Sequence, residues 1–166
     1  MNANFKTTIG AAFLFILLGS ALFFAFDGKL HPNTSEKLGT ASEVILQRDL
    51  SGHYRAEAFI NGTKTNILVD TGATDVAISR QFAERLGITS ITATRTQTAN
   101  GETVAYMIRL DSVKLGGIEE KNVSAIIVNN LSTDMLLGMS FLNRMDVRLH
   151  QGIMTIRSAN NLNDPI

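Results

Sequence analysis

Three dipeptides, Asn61-Gly62, Asn100-Gly101 and Gly116-Gly117, cut the centre of the chain into short apolar-rich runs. Turn residues that accept positive φ match the twist of flanking strands, so each dipeptide specifies a two-residue hairpin. The first separates residues 53–60 from 64–69, the second 91–98 from 103–110, and the third 112–115 from 121–128. A last strand pair is expected at 146–149 and 153–157. Helical patterning is confined to residues 80–86, opened by Ser79 as N-cap and closed by Gly87, and to a short piece after Gly138. The pattern predicts an all-β domain from residue 48 to 157 with one or two short helices. An order of hairpin glycine, apolar strand, glycine loop and short helix occurs twice, around Gly62 to Leu86 and Gly117 to Met145, with little residue identity between the copies.

Ahead of this domain, residues 7–26 form an uncharged run, TTIGAAFLFILLGSALFFAF, about long enough to cross a bilayer's apolar core as a helix. A cleaved signal peptide is the rival, with small residues Gly19 and Ala21 at −3 and −1 of a cut after Ala21. Such a cut would expose Leu22 to Phe26, and the run exceeds a usual signal core, so a single transmembrane helix is expected. Lys6 on one side and Lys29 and Lys37 on the other barely decide orientation by charge. The six-residue tail before the span is easily left inside. The expectation is a single-pass membrane protein with its domain outside the cytoplasm. Residues 27–47 are mostly polar and predict a tether, and residues 158–166 a disordered tail.

Several function classes are excluded by what the chain lacks. Its 15 basic and 15 acidic residues include no Lys/Arg cluster to neutralise a run of phosphates, so no nucleic-acid partner is expected. It has no cysteine, and with it no disulfide, thiolate nucleophile or Cys-based zinc site. His31, His53 and His150 stand far apart in no metal-ligand spacing, so neither a metal nor any cofactor is expected.

One segment carries chemistry. In Asn66 to Thr74, the apolar strand residues Ile67-Leu68-Val69 run directly into Asp70-Thr71-Gly72-Ala73. A carboxylate at that point meets a cleft while its stem is held by the core. Taken alone, Asp-Thr-Gly is also a common strand-ending turn. The context changes this: Leu136-Leu137-Gly138-Met139-Ser140-Phe141 follows about sixty residues later, and the hairpin Thr98 to Thr103 lies between.

This combination resembles the retropepsin family of aspartic proteases, and more narrowly its bacterial single-domain members with an N-terminal membrane segment. The likeness covers roughly Gly52 to Ile156. It implies one lobe of an acid protease, a closed β-barrel half, preceded here by the transmembrane helix. It implies Asp70 as the catalytic carboxylate, with Thr71, Gly72 and Ala73 supporting the active-site loop. Asn100 and Gly101 would form the tip of a flap, although an ordinary surface hairpin explains them about as well. Leu136, Leu137 and Gly138 would brace the catalytic loop from beneath. Peptide hydrolysis of this kind uses water between two carboxylates, one acting as base and one as acid. With a single Asp-Thr-Gly, the second Asp70 would come from an identical chain through a twofold axis, so the expected partners are a peptide or protein substrate and a homodimer mate.

Asp75 reads as a turn-capping or solvated residue and the methionines at 135, 139, 145 and 154 as core filler. A phosphotransferase with Asp-x-Asp-x-Thr is excluded, since Gly72 occupies the place of its second Asp. A catalytically silent peptide-binding or assembly module at the membrane is the alternative function, because one chain holds half of such an active site.

Overall fold

The computed structural model describes residues 13–25, 33, 38–40, 42–98 and 101–158. In chain order these form helix α1 (residues 13–25), strands β1 (Glu43–Gln47), β2 (Tyr54–Ile60), β3 (Thr63–Val69) and β4 (Val76–Ser79), helix α2 (Arg80–Arg85), strands β5 (Ala93–Thr98), β6 (Gly101–Leu115), β7 (Ile118–Val128) and β8 (Met135–Leu137), helix α3 (Met139–Leu142), and strands β9 (Met145–His150) and β10 (Ile153–Ser158).

The first hairpin shows how sequence sets register. Asn61 and Gly62 have φ of 48° and 79°, the left-handed pair a tight hairpin needs. Ile60 is thereby set opposite Thr63, and Ala56 opposite Ile67. Alternation then turns Ala56, Ala58 and Ile60 of β2, with Thr65, Ile67 and Val69 of β3, into the core. β3 continues parallel to β8, β8 antiparallel to β4, β4 parallel to β7 and β7 antiparallel to β6. The end of β6 returns to β2, with Leu115 opposite Ala58 and Val113 opposite Ile60. Six strands close into a barrel, and β5 extends the sheet beyond β6. Phe82 of α2 and Phe141 of α3 are fully buried in the main core.

Four features depart from the sequence expectations. The runs 103–110 and 112–115 are one continuous strand, β6, fifteen residues long. β4 and β8 are strands of four and three residues, too short to carry a period of their own. The polar stretch read as a tether contains β1, which pairs with β10 and buries Val44 and Leu46. Leu38 is also buried, at 2% exposure, so the packed structure starts well before Arg48. Amphipathic alternation in Glu43–Gln47 becomes meaningful only once β10, far away in sequence, lies beside it.

The expected membrane span at 7–26 falls partly outside the described residues. The thirteen that are described form α1, whose apolar side chains are exposed. At 1.5 Å per residue this covers about 20 Å of a hydrocarbon core of about 30 Å. Among the described residues no helix is long and apolar enough to cross a membrane. The tail beyond Ser158 and residues 1–6 also lie outside them.

Candidate active site

β3 ends with buried Val69, and the next residue, Asp70, is fixed at both its backbone and its side chain. Its N–H donates to the Leu137 carbonyl at 3.1 Å, extending the β3–β8 ladder by one bond. Its Oδ1 accepts from the Gly72 N–H at 2.8 Å, and its carbonyl accepts from Ala73 at 3.3 Å. The carboxylate is thus turned back over its own loop and half-buried, while Thr71 and Gly72 form an exposed tip. A Cβ on Gly72 would stand 3.2 Å from Asp70 Oδ1, closer than ordinary packing allows.

Below the loop, α3 holds the other side. The N–H groups of Met139 and Ser140 donate to the carbonyls of Ala73 and Thr74 at 2.8 and 2.9 Å. The Ser140 hydroxyl accepts from Val76 N–H at 2.9 Å and donates to the Ser124 carbonyl at 2.8 Å, joining the loop's exit to α3 and β7. Gly138 lies where the two segments touch. A Cβ there would meet the Asp75 carbonyl oxygen at 2.2 Å and that of Ala73 at 2.8 Å. Leu137 is fully buried beneath the loop, whereas Leu136 is half-buried and faces the cleft.

That cleft is a cavity of about 390 Å³ lined by Asp70, Gly72, Ala73, Thr74 and Asp75 on one side and by Thr96, Gln97 and Thr98 of β5 on another. Its floor is apolar, with Ala77, Ile126 and Val128 belonging to a small second core cluster against which Leu131 and Leu136 pack. Thr98 lies opposite Gly101 in the β5–β6 hairpin, and its hydroxyl donates to the Gly101 carbonyl at 2.9 Å. Gly101 has φ of 102°. Asn100, expected at the same tip, lies outside the described residues.

Asp75 is half-buried and lines this cavity, and of the two roles expected of it, capping a turn or being solvated, no capping hydrogen bond to its carboxylate occurs among the described residues. Asp134 has a structural place. Its carboxylate accepts from the Thr65 hydroxyl at 3.0 Å and pairs with Arg85 at 2.7 Å, and its carbonyl accepts from Ser79 N–H at 2.9 Å. It thereby ties β3, α2 and the approach to β8 together. Sequence reasoning missed the part of Ser140 and that of Thr96 and Gln97 in the cleft wall, and had Thr98 only as the start of the expected flap hairpin. A serine in a short helix carries no signal of its own, and a cleft wall supplied by β5 depends on how the hairpin folds over. No cluster of His, Cys, Asp or Glu able to hold a metal occurs among the described residues.

A family model described as "gag-polyprotein putative aspartyl protease" matches residues 56–144, the stretch from β2 through α3. The crystal structure of a retropepsin-like aspartic protease from Rickettsia conorii superposes with a TM-score of 0.60 at 36% identity, covering 70% of this chain and 90% of that one. The chain belongs to the retropepsin-like aspartic protease family. Two curated relatives, both uncharacterized proteins, come from Rickettsia prowazekii (strain Madrid E), 37% identical over 142 residues, and from Sinorhizobium, 34% identical over 109. These alignments take in 80% and 63% of this retropepsin-like chain. The chain spans 61% and 47% of the length of those two relatives. Within the retropepsin-like barrel, the Asp-Thr-Gly loop stands at the mouth of the cleft, braced by a Gly that admits no side chain.

Proposed function

We propose that the protein is an aspartic endopeptidase acting as a homodimer, in which the Asp70 carboxylates of two chains hold and activate the attacking water. The observation that carries this is the exposed Thr71-Gly72 tip beside a cleft-facing Asp70, fastened to the barrel by Leu137 and α3. Facing copies of this loop across a twofold axis bring the two carboxylates together. Close carboxylates share one proton, so one serves as base toward water while the other donates to the carbonyl oxygen of the scissile bond. The apolar floor of Ala77, Ile126, Val128 and Leu136 suits apolar side chains next to that bond. The backbone of the β5–β6 hairpin suits an extended peptide. The uncharged run 7–26 is proposed as an N-terminal anchor with the domain on the periplasmic side of a bacterial inner membrane.

Replacing Asp70 by Asn keeps size and the acceptor for Gly72 N–H but removes the ionisable group. Peptide cleavage, read by mass spectrometry, is expected to fall by three orders of magnitude or more, on the order of what loss of a paired acid–base group costs, with thermal unfolding unchanged. Cleavage retained in folded Asp70→Asn protein would leave the second reading, a peptide-binding module, in possession of the cleft.

A further inference from the structure

Asn33 lies in the stretch expected to be a free tether, yet it is only 6% exposed. Its Nδ2 donates to the carbonyls of Gln47 and Arg55 at 2.7 and 2.8 Å, and its Oδ1 accepts from Gln47 N–H at 2.7 Å. Both donors of the side-chain amide and its carbonyl are thus used, clamping residue 33 to the end of β1 and the start of β2. Seven residues separate Asn33 from Ala25, where the described helix α1 ends. Covalent geometry limits their reach to about 25 Å at full extension, against about 75 Å for a free tether over residues 27–47.

The clamp is also close to the cleft. Asn33 lines a cavity of about 350 Å³ with Ile67 and Thr133, and the residues just before Thr133, Leu131 and Ser132, line the catalytic cavity. Ile67 lies on β3, three residues before Asp70. The cavity at the attachment point and the catalytic cleft thus share the segment 130–133 in their linings.

We propose that the catalytic cleft is confined to a shell next to the bilayer, and that the substrates it favours are juxtamembrane segments of other membrane-tethered chains. This rests on the anchor and endopeptidase readings above. Two chains tethered to one surface meet at an effective concentration set by their linkers, and that concentration vanishes where a linker cannot span the gap. A cleavage point held far above the lipid is outside the shell, and one just above it is inside.

The test uses the full chain in phosphatidylcholine vesicles. Because the protein has no cysteine, Thr133→Cys gives a single dye site for energy transfer to labelled headgroups. Strong transfer is expected, falling when twenty Gly/Ser residues are inserted after Asp27. In hydrogen exchange the Gln47 amide is protected, and loses protection in Asn33→Ala. A vesicle-tethered peptide whose cleavage point lies about 20 Å from the lipid is cut at least tenfold faster than the same peptide carried about 100 Å out on a helical spacer, and the insertion narrows that ratio. Weak transfer, transfer unaffected by the insertion, or an unprotected Gln47 amide overturns the confinement. Equal cleavage of near and far peptides overturns the substrate preference while leaving the endopeptidase intact. Failure to cut either peptide, or the same peptide free in solution, overturns the endopeptidase and the substrate preference together, and the transfer measurement still decides the confinement.

Discussion

Gly138 has φ −96° and ψ −169°, an extended conformation open to any residue, so its identity is set by crowding and not by backbone freedom. With the Asp75 and Ala73 carbonyls inside 3 Å of a would-be Cβ, Gly138→Ala must push the Asp70–Asp75 loop and α3 apart. Expected is a loss of about 2–3 kcal/mol in urea unfolding, with cleavage by the remaining folded protein also lowered because Asp70 shifts with its loop. Asp49 makes a different case. Burial alone raises its pKa, but the Ser51 hydroxyl, the amides of His53 and Ser51 and the Arg55 guanidinium outweigh this and hold it below its ordinary 3.8. A depressed carboxylate pKa gives stability that is present above the ordinary value and lost as pH falls through the folded one. Asp49→Asn is therefore expected to melt below wild type at neutral pH, with the two melting curves converging below pH 3.8. Asp70 stood out in the sequence only through its company, since Asp-Thr-Gly alone is a common turn and it was the later Leu-Leu-Gly element and the hairpin between them that marked it. Gly138 was legible only as a motif member, since its contacts come from residues sixty positions earlier.

Among the elements, those closed by local chemistry were readable and those made by distant partners were not. The hairpins at Asn61-Gly62 and Gly116-Gly117 and the Ser79-capped helix α2, where Ser79 Oγ accepts from Phe82 N–H at 3.0 Å, announce themselves within a few residues. β4 and β8 exist because β7, β8 and β3 flank them. β1 exists because β10 does. A chain beginning at Arg48 loses β1, the buried side chains of Leu38, Val44 and Leu46, and the Glu43–Arg157 ion pair. At about 1.5–3 kcal/mol per buried aliphatic side chain, this truncation is expected to cost about 5 kcal/mol or more. A chain beginning before Asn33 keeps that stability, and denaturant unfolding of the two side by side measures the difference.

For the whole molecule, the closed barrel was implied by the family resemblance and is what the structure has, but the pairing that closes it was not legible in the spacing of residues. Nothing in the spacing of residues 58–60 and 113–115 says that they meet, yet the β2–β6 ladder closes the ring. Assembly is the other property belonging to this scale. With one Asp-Thr-Gly loop per chain, specific activity is expected to rise with protein concentration and level off once dimers dominate. Dilution into a range shown by sedimentation to be monomeric should abolish cleavage, and a flat specific activity there would mean that a single chain suffices.

β6 serves two structures at once: its first half is an arm of the hairpin over the cleft, and its last residues close the barrel against β2. A strand's side chains alternate, so one added or deleted residue in the middle of β6 would exchange inside for outside along everything beyond it. Placed just after Leu110, such a change would turn Val113 and Leu115 out of the core while the arm above stayed as it was. Evolution therefore has little freedom to resize the hairpin arm through this strand. Changes of length are admissible at its two ends, between Thr98 and Gly101 and at the turn after Leu115, so variation in how the cleft is covered should accumulate at the first of these while the wall behind it keeps its count.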